Sequence, residues 1–212
     1  MTGPRRLRQE IVTLLKEGNF PGLVELAGRE PGVVGQLAKY LFDPGDLLHW
    51  RALEGLGQVA GAFPQQVQKV ISRLLYMLNE DSGSFGWMAA AALGEIGRHQ
   101  ISVVQDIIPM FCGFLEKDFS RASMLWGLAR MAQVHPQSLK ETRPFLIPCL
   151  RDPQPLVRAL AALCLGRMGE SEIREAIRSL VADEEPVELY DQGELRRTTV
   201  GQVAREALAA LG

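Results

Sequence analysis

Apolar residues recur along this chain at helical spacing, each time with a polar stripe opposite. In residues 155–169, Val157, Ala161, Leu165 and Met168 stand about one helical turn apart, the signature of a helix that buries one face. The stretches QQVQKVISRLLYML (65–78), SVVQDIIPMFCGFL (102–115), SLKETRPFLIPCL (138–150) and SEIREAIRSLVAD (171–183) each pair one apolar with one polar stripe, and predict further amphipathic helices. Pro64 and Pro136 mark the starts of two of them. Pro109, Pro144 and Pro148 lie inside two others, where a missing amide predicts bent rods.

Aligning RDPQPLVRALAALCLGRMG (151–169) on Leu165 exposes sister copies. They are HWRALEGLGQVAG (49–61), GWMAAAALGEIGR (86–98), RASMLWGLARMAQ (121–133) and AREALAALG (204–212). Their anchor leucines, Leu56, Leu93, Leu128, Leu165 and Leu211, are separated by 37, 35, 37 and 46 residues, one helix pair per step with an excess in the last interval. An aspartate precedes each of the first four anchors: Asp43, Asp81, Asp118 and Asp152. Asp43-Pro44 and Asp152-Pro153 predict a cap followed by proline at the first helical position.

These copies resemble the HEAT and HEAT-like (PBS-lyase-type) repeat family, over about residues 43–212. The aspartate turn, the Val157-Arg158 pair and the Leu165-Gly166 to Gly169 run carry the likeness, with LGEIG the next best match. Gly86 and His49 replace the arginine in two copies, and Ala129 and Ala132 depart from glycine in a third. The resemblance implies an all-α, right-handed, armadillo-like α-solenoid of antiparallel helix pairs forming a single 1–212 repeat domain. Its parts are an atypical cap at 1–42, four repeats at 43–184, and a C-terminal insert with a capping helix at 185–212. Arg121 and Arg158, at the family's arginine position, are then expected to meet Asp118 and Asp152 in a structural ladder along the turns.

The ends differ from the middle. Residues 5–17 predict an amphipathic helix closed by Gly18-Asn19, followed by a degenerate pair broken at Pro31. The excess before the last helix contains VELY and ELRRTTV around Asp191-Gln192-Gly193. That alternation predicts a short β-hairpin at 187–199, with an irregular loop as the competing reading. Thr199 and Gln202 supply a capping box for the final helix.

Trp50 and Trp87 lie six positions before their anchors and Trp126 lies two before its own, so the three share one helical stripe. Two readings stand. Either the rings pack between repeats beside Ala91, Ala122, Ala159 and Leu163, or they form an aromatic strip that anchors a partner. A second candidate surface is the polar stripe of the second helices, with Gln68, Lys69, Arg73, Gln105, Lys140 and Arg143.

Composition narrows the chemistry. The 23 basic and 25 acidic residues give a net charge of −2, which argues against nucleic acid as a partner. The acids cluster: residues 183–194 hold six and no base, whereas Arg5, Arg6 and Arg8 crowd the amino terminus, so the insert is read as a solvated cap or as a dock for a basic partner. Cys112, Cys149 and Cys164 are scattered among apolar neighbours without disulfide or zinc spacing. His49, His99 and His135 are isolated, so no metal is expected. The His-Glu pairs of di-iron deoxyhypusine hydroxylases, which are built on such repeats, do not occur. No apolar run is long enough for a membrane span and the start does not read as a signal peptide, so a cytoplasmic protein is expected. The leading functional expectation is a non-catalytic scaffold or adaptor that binds a protein partner and carries no cofactor. The alternative is a HEAT-like enzyme or accessory factor, tetrapyrrole lyase-like or alkylpurine DNA glycosylase-like.

Overall fold

The computed structural model describes residues 3–41, 46–79, 87–169 and 171–211; of Trp87 and Ser171 it describes the backbone. The Asp43-Pro44 and Asp81 turns lie outside the described residues. Helices α1 (Gly3–Glu17), α2 (Phe20–Arg29) and α3 (Gly32–Leu37) form the amino-terminal end. Asn19 caps α2 by accepting from the Gly22 amide at 2.9 Å.

Five helices then repeat at the intervals set by the anchor leucines: α4 (Leu47–Ala62), α6 (Trp87–His99), α8 (Asp118–Ala132), α10 (Pro155–Met168) and α12 (Val200–Ala210). They stack in that order, α4 on α6, α6 on α8, α8 on α10 and α10 on α12. Leu56, Leu93, Leu128 and Leu165 are completely buried. Between them run the second-layer elements α5 (Pro64–Asn79), α7 (Ile108–Leu115), α9 (Arg143–Leu146) and α11 (Arg174–Arg178). This is an α-solenoid, its helix pairs each burying a stripe against the next.

Three local expectations change. Pro109, Pro144 and Pro148 do not bend continuous helices; they sit in the first turns of new segments, where the missing amide costs nothing. The second layer is consequently cut into 3-10 turns at 101–107, 136–142, 148–151 and 171–173 around short α-helices. Asp152 does not cap α10, which starts with Pro155 after Gln154; its carboxylate accepts from the Gln154 amide ahead of the helix. Asp118 is the first residue of α8.

The layers approach most closely where α6 crosses α8. A Cβ placed on Gly94 would lie 2.2 Å from the Gly127 Cα, so neither helix tolerates a side chain there. With Ala89, Ala90, Ala91 and Ala92 also buried, α6 is a thin rod. Side chains of α4 and α8 meet across it.

The last interval contains the antiparallel hairpin, β1 (Pro186–Asp191) and β2 (Glu194–Thr199), in a register pairing Leu189 with Arg196 and Asp191 with Glu194. Gln192 and Gly193 both adopt positive φ, 49° and 86°, the turn geometry that matches the right-handed twist of paired strands. Thr199 caps α12, its hydroxyl accepting from the Gln202 amide at 3.2 Å.

Candidate functional site

The hairpin folds back over the first-helix layer and occupies the face where the tryptophan stripe offered a partner surface. Trp50 of α4 and Trp126 of α8 come together with ring centroids 4.8 Å apart, and the Tyr190 ring of β1 stacks on Trp50 at 5.2 Å and 7°. Trp126 donates its indole N–H to the Tyr190 carbonyl at 3.0 Å. The small residues of α6 let rings from its two flanking helices meet across it, and the face on which they meet is called the inner face below. Trp50 is 9% exposed and Trp126 4%; the chain's own hairpin covers most of both rings. The side chain of Trp87, the third member of the predicted stripe, lies outside the described residues.

Beneath Tyr190 runs a buried charge network. Arg130 of α8 donates to both oxygens of Glu95 on α6, at 2.7 and 3.0 Å, and to Glu54 on α4 at 3.3 Å. It also pairs with Asp191 at the hairpin tip at 3.5 Å and lies 5.3 Å from the Trp126 ring centroid. The Tyr190 hydroxyl donates to Glu54. Arg98, at 3.0 Å, and His99, at 3.2 Å, complete the surroundings of Glu95. Burial alone would raise the Glu95 pKa. The hydrogen bonds from His99 and Arg130 and the charges of Arg130 and Arg98 outweigh it and hold the carboxyl down at about 2. Burial and the Glu54 carboxylate push the Tyr190 phenol well above its ordinary range, so it is a neutral donor at physiological pH.

The hairpin is tied down at further places. Arg51 of α4 donates to the Gly193 carbonyl at the turn, at 3.0 Å, and to the carbonyls of Leu15 and Lys16 that end α1, at 3.2 and 2.7 Å. Arg196 of β2 makes a two-pronged pair with Glu206 of α12, at 2.7 and 2.9 Å. The acidic insert therefore spends Asp183 on Arg158 and Asp191 on Arg130, within the chain. Glu184, Glu185 and Glu194 remain exposed.

At the turns, Arg121 reaches Asp152 of the next repeat at 3.0 Å and Asp118 of its own at 2.9 Å. Arg158 reaches Asp183 at 2.8 Å and the Asp152 carbonyl at 2.8 Å. The second layer holds the remaining candidates. Gln68, Lys69, Arg73, Gln105 and Lys140 are exposed, whereas Arg143 is half-buried and bonded to Glu172 at 2.7 Å. Exposed apolar side chains lie on the same layer: Tyr76, Met110, Phe145 and Ile147. Among the described residues no cluster of His, Cys, Asp or Glu has metal-site geometry, and no helix is long and apolar enough to cross a membrane.

The network was missed by sequence reasoning although a signal existed. Glu95, Arg130 and Arg167 all stand two positions after their anchor leucines, inside otherwise small or apolar runs. A polar column of mixed sign at a buried helical position indicates interlocking ion pairs between stacked copies.

Residues 118–168 match the model of the HEAT-like repeat family. An uncharacterized protein of Archaeoglobus fulgidus is 25% identical over 177 residues, covering 81% of this chain and 93% of its own. An uncharacterized phycocyanin operon protein Z of Pseudanabaena tenuis is 27% identical over 122 residues, covering 56% of this chain and 57% of its own. Among solved structures, a designed armadillo repeat protein is similar at 19% identity and a TM-score of 0.55, covering 98% of this chain and 91% of the other. Another, solved in complex with the peptide (KR)4, is similar at 18% identity and a TM-score of 0.57 with the same coverage. These two likenesses establish a shared repeat fold.

Proposed function

We propose that this array of HEAT-like repeats is a scaffold or adaptor that binds a protein partner on its second-helix layer. The observation that carries the reading is the division of labour between the two layers. On the inner face the aromatic and charged side chains are consumed by the hairpin, and each of Glu54, Glu95, Arg130 and Tyr190 is bonded to another of the four. On the second layer Tyr76, Met110, Phe145 and Ile147 stay exposed beside Lys69, Arg73 and Lys140. Aromatic residues, methionine and arginine are enriched in protein interfaces, and Tyr76, Met110, Phe145 and Arg73 supply them here. That a designed protein of the same fold was solved with a peptide supports peptide or protein recognition as a use of such arrays.

A scaffold also accounts for Trp50 and Trp126 better than the glycosylase-like alternative does, because they sit under a strand instead of lining a basic cleft. A second reading, an accessory factor for pigment proteins, rests on the name of the cyanobacterial relative. A shift in the visible absorbance of a linear tetrapyrrole on mixing would favour it. The scaffold reading is tested by affinity capture with quantitative mass spectrometry, comparing the wild type with the double variant Lys69→Glu and Arg73→Glu and with Tyr76→Ala. Partners recovered by the wild type and lost from both variants are the expected result. The same set recovered by all three proteins would overturn the placement on this layer.

A further inference from the structure

The covered inner face is not sealed along the hairpin. A cavity of about 80 Å3 lies beside β1, walled by Trp50, Met88, Trp126, Leu156, Leu160 and Leu189. Ala122 and Ser123 of α8 and Glu188 and Tyr190 of β1 complete it, and Glu188 is the one charged side chain of the lining. An empty cavity lined at this level by aliphatic and aromatic groups takes an apolar guest, since water would find too few hydrogen-bond partners. The volume is below the roughly 150 Å3 that holds a benzene ring in a closed cavity. It suits a single aliphatic side chain entering from the open side.

The strand that forms one wall has an edge that β2 leaves unpaired, and among the described residues Trp126 takes up only its Tyr190 carbonyl. A two-residue turn makes Asp191 and Glu194 the hydrogen-bonded pair that closes the hairpin, and pairs alternate from there. The main-chain groups of Tyr190 and Glu188 therefore point away from β2. Tyr190 obeys this rule visibly, because its carbonyl receives the Trp126 indole, and Trp126 is itself a wall of the cavity. Two residues along, Glu188, which also lines the cavity, presents its N–H and C=O to the same edge. A free strand edge above an apolar hole is the arrangement by which an extended peptide is recognised, main chain along the edge and alternate side chains into pockets.

Charge selects the sequence of that peptide. Glu188 at the rim is half-exposed and shared with Arg197, a side chain 91% exposed whose pairing at 3.3 Å is weak in water. Glu184 and Glu185 are exposed just upstream. We propose that β1 accepts an extended, basic peptide segment of a partner, paired to its outer edge at Glu188, with one aliphatic side chain in the cavity and flanking lysine or arginine at the acidic rim. This goes beyond the second-layer reading and stands or falls separately from it.

The test uses the full chain and three short synthetic probes: Lys-Val-Lys-Leu-Lys-Val-Lys, the same peptide with Glu for Lys, and the Lys peptide carrying an N-methylated leucine. Binding is followed by anisotropy of a label on the peptide and by tryptophan emission, because Trp50 and Trp126 wall the cavity. The Lys peptide is expected to bind, and the acidic and N-methylated versions to bind at least about tenfold more weakly, a difference of about 1.4 kcal/mol. Ala122→Leu, which fills a half-buried corner of the cavity, and Glu188→Lys, which reverses the exposed rim, are each expected to weaken the Lys peptide by about tenfold. Glu188→Lys alters a surface residue, so it remains informative should Ala122→Leu lower the melting temperature. Equal binding of the Lys peptide by the wild type and both variants would overturn the proposal, as would no binding at all, or binding of free indole without binding of peptide. Loss of the peptide from Glu188→Lys with capture of protein partners unchanged would confirm the edge as a second surface; capture unchanged in the Lys69→Glu, Arg73→Glu and Tyr76→Ala variants, with the Lys peptide still bound, would refute the second-layer reading alone.

Discussion

Removing the negative charge of Glu95 is the sharpest perturbation of the buried network. Its carboxyl is completely buried and receives bonds from Arg130, Arg98 and His99. These hold its pKa at about 2, against an ordinary value of 4.5. A tenfold change in proton affinity corresponds to about 1.4 kcal/mol, so the ionised form contributes on the order of 3 kcal/mol to folding. Because the folded-state pKa lies below the unfolded one, this contribution is fully present above about pH 4.5 and is lost as pH falls toward about 2. At about pH 3 the linkage relation gives a loss near 2 kcal/mol from this residue alone. Glu95→Gln keeps the volume and much of the hydrogen bonding but removes the titration. The variant should be about 3 kcal/mol less stable than wild type at neutral pH, and the gap should narrow to about 1 kcal/mol near pH 3. Urea unfolding followed by circular dichroism, at several pH values between about 7 and 3, measures this directly. Every other side chain is the same in both proteins, so the pH dependence of the difference reports the loss of the Glu95 carboxylate. Parallel stability curves across that window would refute the assignment of Glu95 as an ionised, network-bound group.

Further outcomes follow from the packing. Tyr190→Ala uncovers Trp50 and Trp126 and should cost about 3–5 kcal/mol while moving tryptophan emission to the red; an unchanged emission maximum would contradict the covering role of the hairpin. Gly94→Val places methyl groups where the Gly127 backbone stands and should destabilise the array by about 3 kcal/mol or more in thermal unfolding, whereas Gly113→Ala, whose Cβ meets nothing within 4 Å, should be nearly neutral. Burial pushes the Cys164 thiol up to about 12 and also raises Cys149, so a thiol-specific reagent under native conditions should label the half-buried Cys112 first; earlier labelling of Cys164, read by peptide mass spectrometry, would contradict its place in the core.

The repeat was legible because it is written in local chemistry. Leucine anchors, turn aspartates and small residues each report on contacts with a neighbour one unit away, and Arg121 meets Asp152 at the distance that repeat spacing implies. The hairpin was legible as an element too, since alternation and a Gln192-Gly193 turn are local signals. Its destination was not. Nothing in VELYDQGELRRTTV encodes that Tyr190 will travel to Trp50, because that contact is set by the stacking of α4, α6 and α8. The same stacking buries Trp50 and Trp126, the packed one of the two readings that the stripe left open. The segmentation of the second layer was misjudged for a different reason: proline inside an amphipathic pattern is equally compatible with a kinked rod and with a fresh start, and only the 3-10 turns before Pro109 and Pro144 decide between them.

The hairpin also acts as a ruler. A six-residue strand spans about 20 Å, and stacked helices lie about 8–10 Å apart, less on the inside of a curve. One end of the hairpin runs into α12 at Thr199, that helix's cap, and the other reaches Arg51 on α4 through the Gly193 carbonyl. Inserting or deleting one helix pair between them would leave the turn short of, or beyond, its anchor. Repeat arrays ordinarily lengthen and shorten freely during evolution because each unit answers only to its neighbours. Here the count of units between α4 and α12 is locked by a strap of fixed length, so lineages that vary repeat number must first change or discard the hairpin.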